Sequence, residues 1–151
     1  MIIHRITNTA FSKDLSGTGA KMNGARWNSR GTAMLYAAEH ISLAVLEMLV
    51  HTQFKDFSIE LDLLHISVPD TALVKEISAA KMKKNWVEDY EYTRFIGDEF
   101  IRSQEALLLK VPSAVILEEA NFLVNPSHVD FKKVKIQSIQ AFRTDKRLFV
   151  I

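Results

Sequence analysis

Eleven residues, Ile41 to His51, constrain this chain most tightly, because no side of a helix built from them is polar. Ile41, Leu43, Ala44, Val45, Leu46, Met48, Leu49 and Val50 cover nearly every direction around the axis. A helix that is apolar all round is a buried one, so the fold is expected to wrap other elements about this segment. One residue disagrees. Glu47 has Leu43, Ala44, Val50 and His51 as its neighbours on a helical projection, and no polar stripe accommodates it. Burying an ionised carboxylate costs several kcal/mol or more unless it is paired or hydrogen-bonded. Taken alone, Glu47 is a solvent-facing glutamate, one half of a structural ion pair, or a functional group.

The 151 residues suit one compact domain, spanning 1–151, with a sizeable core. With 48% apolar and 25% charged residues, neither disorder nor a low-complexity fibre is expected. A formal net charge of +1 argues against a strongly electrostatic nucleic-acid or membrane partner. The absence of cysteine excludes disulfides and thiolate metal ligands, and His4, His40, His51, His65 and His128 lack HExxH or comparable spacing, so no metal is expected. No apolar run approaches the ~20 residues that span a bilayer, and the N-terminus turns polar at once. A soluble cytoplasmic protein is the plain expectation.

Ile2–Ile3–His4–Arg5–Ile6 reads as a short strand. Ser12 to Gly31 holds four of the five glycines and reads as a long functional loop. Strands are predicted at Met34–Ala37, Phe57–Leu63, Ala106–Lys110, Ala114–Leu117 and Val134–Phe142, and helices at Ile41–His51, Val74–Lys84 and Asp89–Ser103. Strands cluster at both ends around a helical middle, which predicts an α+β fold rather than a repeating βαβ wind. Neither GxGxxG nor a P-loop is present. Lys81–Met82–Lys83–Lys84, beside Trp86, is a candidate RNA-binding run. Glu88, Asp89 and Glu91 follow it closely, so it reads as a solvated helix end.

The glycine-rich stretch contains Gly24–Ala25–Arg26–Trp27–Asn28–Ser29–Arg30–Gly31. Arginine beside glycine suits anion recognition, since the guanidinium fork grips phosphate oxygens and glycine permits close backbone approach. Two surface arginines are the plainer alternative, although Trp27 in such a loop must dock onto something. Tyr36, ten residues after Arg26 and eleven before Glu47, is either packed in the core or able to stack on a planar ring. A strand leading directly into the helix would bring Tyr36 and Glu47 to one cleft.

Several segments, in order, resemble the RES-domain family. They are Gly24–Asn28, Leu35–Tyr36–Ala37–Ala38–Glu39, Leu43–Ala44–Val45–Leu46–Glu47, Ile96–Gly97–Asp98, Val111–Pro112–Ser113–Ala114–Val115, Asn121 to His128 and Asp145–Lys146–Arg147–Leu148. The resemblance covers nearly the whole chain. It implies an ADP-ribosyltransferase-like fold of mixed sheets with surrounding helices, and a NAD-degrading toxin of a type II toxin–antitoxin pair. Its expected partner is an Xre-type antitoxin that blocks the active site, and a homodimer within that complex is compatible with the resemblance. By position, Arg26, Tyr36 and Glu47 match the family's arginine, tyrosine and glutamate. Ser113, in Val–Pro–Ser, matches its serine better than Ser127 does. Asn125 and His128 are weaker candidates for holding NAD, and Asn125–Pro126 favours a turn in any case.

The resemblance assigns roles. Glu47 would stabilise the oxocarbenium-like centre formed when the nicotinamide–ribose bond breaks. Arg26, with Arg30 as a second contact, would hold the diphosphate or adjoining ribose, Tyr36 would stack on nicotinamide, and Ser113 would orient substrate or a catalytic side chain. NAD is the substrate and no prosthetic group is implied. Water, inorganic phosphate as co-substrate, or one specific protein target are all open as the acceptor, giving hydrolysis, phosphorolysis or ADP-ribosylation.

Overall fold

Seven strands share one mixed sheet in the computed structural model, which describes residues 1–51 and 59–149. They are β1 (Ile2–Asn8), β2 (Leu35–Ala38), β3 (Leu61–Ser67), β4 (Val74–Glu76), β5 (Leu108–Pro112), β6 (Ala120–Val124) and β7 (Lys135–Phe142), ordered β4-β5-β6-β2-β1-β3-β7. Every neighbouring pair is antiparallel except β4 and β5. Three α-helices accompany them among the described residues: α1 (Thr18–Asn23), α2 (Ile41–His51) and α3 (Tyr90–Ser103). The architecture is α+β, as the element order predicts.

Pairing along the sheet is uneven, and this positions the site. β1 pairs with β3 over seven residues, from Ile2↔Ser67 to Asn8↔Leu61, and β2 pairs with β6 over four. Between β1 and β2, however, the register holds only His4↔Ala38 among the described residues. Beyond that point the two strands part, and a gap opens in the middle of the sheet. Backbone groups lining such a gap need other partners. Arg5 supplies one by donating from Nη1 to the Tyr36 carbonyl at 2.8 Å.

Each sheet face has its own apolar core. Ile3, Leu35, Leu64, Ile66 and Val124 anchor one, and Trp27, Trp86, Phe100, Val111 and Leu123 the other, with α3 packed over it. Helix α3 turns Thr93, Gly97 and Phe100 inward at helical spacing, and Asp89 caps it by accepting from the Tyr92 amide at 3.0 Å. Gly97 is required by packing: a Cβ there would lie 1.6 Å from the Trp27 carbonyl oxygen. The loop carrying Arg26 and Trp27 thus lies directly on α3. Gly97→Ala is expected to cost about 2 kcal/mol or more, as overpacking does, read by urea denaturation.

Tertiary structure overrides four of the local expectations. The Ser12–Gly31 loop contains α1. Val74–Lys84 is β4 followed by a short 3-10 turn at Ala79–Lys81, because Val74, Lys75 and Glu76 pair in parallel with Leu108, Leu109 and Lys110. Ala114–Leu117 is a turn, because the Ser113 hydroxyl accepts from the Val115 and Ile116 amides at 3.0 and 3.1 Å and withdraws them from a ladder. Helix α2 is not wrapped: only Leu43 and Ala44 are fully buried, while Ile41 is 39% and Val50 60% exposed. It packs on β1 and β2, its ends are exposed, and Val45 to Leu49 are only partly buried. The strand expected at Phe57–Leu63 runs from Leu61, and Phe57 and Ser58 lie outside the described residues.

Candidate active site

Where β1 and β2 part, a cleft of about 1310 Å³ opens, with Arg5, Arg26, Tyr36, Glu47, His51 and Asn121 among its lining residues. Three of the four expected site residues therefore meet, although they come from a loop, a strand and a helix. β2 ends at Ala38 and α2 begins at Ile41, and Tyr36 from the strand and Glu47 from the helix both line the cleft.

Glu47 is half-buried, and its carboxylate is held by neighbouring side chains. Oε1 accepts from Ser113 Oγ at 2.8 Å and from Asn121 Nδ2 at 2.6 Å, while Oε2 lies 3.7 Å from His51 Nε2 one turn along the helix. Burial, the largest single influence, pushes its pKa up. Hydrogen bonds from His51, Asn121 and Ser113 together outweigh that and hold it below the ordinary 4.5. The carboxylate is thus anionic at neutral pH. Since its folded pKa is depressed, it contributes stability that is present above pH 4.5 and lost as pH falls through the folded value. Glu47→Gln removes this titration, so the variant's denaturation midpoint is expected to fall less steeply than the wild type's when the pH is lowered below 4.5. Parallel slopes would contradict it.

Ser113, fully buried, stands behind Glu47 rather than in the cleft. Its single hydroxyl hydrogen goes to the carboxylate and its oxygen already accepts two amides, so it orients Glu47 and is no free nucleophile. Ser127 is elsewhere, bonded to Asn125 and Gln104.

Tyr36 donates from its hydroxyl to Asn28 Oδ1 at 2.7 Å and accepts from the Trp27 amide at 3.0 Å. Burial pushes its pKa well above the ordinary phenol value, so it remains a neutral phenol. Asn28, completely buried, ties this corner together by donating to the carbonyls of Ala20, Ser29 and Thr32. Arg26 donates from Nη1 to the Val87 carbonyl at 2.6 Å and from Nη2 to Tyr90 Oη at 3.1 Å.

Arg30, Asn125 and His128 are not brought to the cleft. Arg30 is exposed on the far side of its loop. Asn125 lies at the opposite end of β6 from Asn121, about 13 Å along the strand. It is completely buried and fastens a turn, accepting from the Ser127 amide and hydroxyl and donating to the Ile101 carbonyl. His128 caps the 3-10 turn at Val129–Lys133, its Nδ1 accepting from the Asp130 amide. Both act in the backbone of that turn, away from Glu47.

Two cleft residues were absent from the sequence-based set, Arg5 and Asn121. The guanidinium of Arg5 is buried, and its Nε has no hydrogen-bond partner among the described residues. Burial depresses the arginine's pKa, though Asp14 offsets part of this. A signal did exist in each case. Arg5 shares strand parity with the fully buried Ile3, and Asn121 shares it with the fully buried Leu123, so each is a polar residue on an apolar face. The cleft lining places the Arg5 and Arg26 side chains with the Glu47 carboxylate, alongside Arg143, Lys146, Glu60 and Asp62.

Comparison with known proteins identifies the family. The chain is 39% identical over 151 residues to the protein named Toxin Res from Pseudomonas putida, covering 99% of this chain and 100% of that one. It is 36% identical over 144 residues to the Prs ADP-ribosylating toxin of a Sphingobium species, covering 93% and 89% respectively. Its fold matches a chain in the crystal structure of the M. tuberculosis MbcT–MbcA toxin–antitoxin complex, with a TM-score of 0.78 at 17% identity over 93% of this chain and 83% of that one. The RES domain pattern matches residues 2–147, and on that match and these relatives the chain belongs to the RES domain family.

Proposed function

We propose that this protein is the toxin enzyme of a toxin–antitoxin pair, and that it consumes NAD by breaking the nicotinamide–ribose bond. The observation that carries this reading is Glu47, held anionic in the cleft by Ser113 and Asn121 with Arg5 and Arg26 in the same lining. The substrate that suits such a cleft carries an anionic diphosphate beside a carbon that becomes positive. As the C1–N bond breaks, its electron pair leaves with nicotinamide, which departs neutral and needs no strong acid. Glu47 stabilises the ribosyl cation left behind, electrostatically and by accepting from ribose hydroxyls. The two guanidinium groups hold the diphosphate, and the Tyr36 ring packs against nicotinamide. An acceptor oxygen then forms the new bond to the same carbon.

Relatives named Toxin Res and a fold shared with one chain of a toxin–antitoxin complex support the toxin role and an antitoxin partner. An Xre-type antitoxin that covers this cleft, in the cytoplasm where NAD is abundant, completes the proposal. A second reading is transfer of ADP-ribose to one protein target, favoured by the relative named an ADP-ribosylating toxin. Product analysis separates the two. Purified protein with NAD alone, with and without inorganic phosphate, is expected to release nicotinamide together with ADP-ribose or its 1″-phosphate. Release that occurs only with a macromolecular acceptor, with label transferred to it, would establish the second reading instead.

A further inference from the structure

An arginine on a loop has many rotatable bonds, and a cation that wanders orients an anion poorly. Arg26 is nevertheless fixed, and its anchors come from one short stretch of chain. Besides the bonds to Val87 and Tyr90, its guanidinium carbon lies 4.5 Å from the Tyr90 ring centroid. Its own carbonyl accepts from Thr93 Oγ1 at 2.6 Å, and the Ala25 carbonyl accepts from Arg94 Nε at 2.8 Å. The Arg94 guanidinium carbon is 5.5 Å from the same Tyr90 ring. One aromatic ring therefore attracts two cations at once and fixes how close they come. Tyr90 is 43% exposed, opens α3 and is not part of the cleft lining. A ring so exposed contributes little to the core, so these contacts account for its place.

We propose that Tyr90 is a positioning residue that holds the Arg26 guanidinium in one orientation, so that the anionic part of the substrate meets a preset cation. In taking that anion to be the NAD diphosphate, the proposal rests on the function proposed above. Removing Tyr90 frees Arg26 without touching Glu47, and its effect falls on substrate binding rather than on bond breaking.

The test compares Tyr90→Ala with Tyr90→Phe, which keeps the ring and drops the oxygen. Tyr90→Ala is expected to raise KM for NAD about tenfold with kcat nearly unchanged, and Tyr90→Phe to recover most of that loss. A KM unaltered in Tyr90→Ala, or a loss of kcat equal to the rise in KM, overturns the proposal. The Arg26 Nη resonances, assigned by Arg26→Lys, give a readout that needs no substrate. Slow rotation about the guanidinium bond is expected in the wild type and averaging in Tyr90→Ala. If the wild type leaves NAD intact, the NAD reading fails by itself, and identical Arg26 line shapes in wild type and Tyr90→Ala then overturn the positioning role separately.

Discussion

Glu47→Gln is expected to lower kcat for nicotinamide release by about 10³-fold, the scale on which a single preorganised electrostatic group acts in a closed site. The substitution preserves shape. A Gln oxygen can still accept from Ser113 and Asn121, whose donors sit at 2.8 and 2.6 Å from Oε1. What disappears is the negative charge that the ribosyl cation would face. Melting of the variant is expected to fall by no more than a few degrees at neutral pH, because Gln keeps an acceptor for Ser113 and Asn121 and loses only the part of their bonds that depends on charge. Quantifying nicotinamide release alongside thermal denaturation checks both halves. Activity within tenfold of wild type, in a protein that melts normally, would remove Glu47 from the chemistry.

The second large effect belongs to Arg5. Arg5→Gln is expected to lower kcat/KM for NAD by about 10²-fold, which corresponds to losing a charge-assisted hydrogen bond that the substrate completes. The magnitude follows from the place of Arg5 on the cleft lining with Arg26, where a second cation would share the anion's charge. Arg5 also crosses the gap between β1 and β2 to the Tyr36 carbonyl, so part of any loss is structural. Arg5→Lys separates these contributions. It keeps the charge but offers no planar fork, and is expected to recover little of the affinity. Direct calorimetry of NAD binding, performed in the Glu47→Gln background so that substrate survives, measures the effect without turnover. Equal affinity in Arg5→Gln would exclude a role for Arg5 in holding the anion.

Much of the fold could be read from local pattern, and its failures share a cause. Helix α3 follows from Tyr92, Ile96 and Phe100 at helical spacing with Asp89 to cap it, and β7 follows from alternation. These are local properties. β4 could not be read this way, because Val74–Glu76 is exposed on every residue and exists only through its parallel partner β5. Helix α2 misled in the opposite direction. Its apolar surface signals burial, yet only Leu43 and Ala44 are buried and both ends are exposed, and periodicity cannot report how many neighbours a helix will find.

The site divides along the same line. Glu47 without a polar stripe and Arg26 in a glycine-rich stretch are anomalies of pattern, but it was the resemblance to the RES-domain family that marked them, with Tyr36, as site residues. Ser113 was marked by its Val–Pro–Ser setting. Only the tertiary structure brought Arg26, Tyr36 and Glu47 to one cleft lining, with Ser113 bonded behind Glu47. Asn121 near the start of β6 touches Glu47, whereas Asn125 just past its end ties a distant turn. The place of Arg5 on the cleft lining was decided by the tertiary structure. Pattern along a chain records which side chains fit their own element poorly. Which of those misfits face one another depends on strand register and on where a sheet opens, and both are set by pairing between residues far apart in sequence.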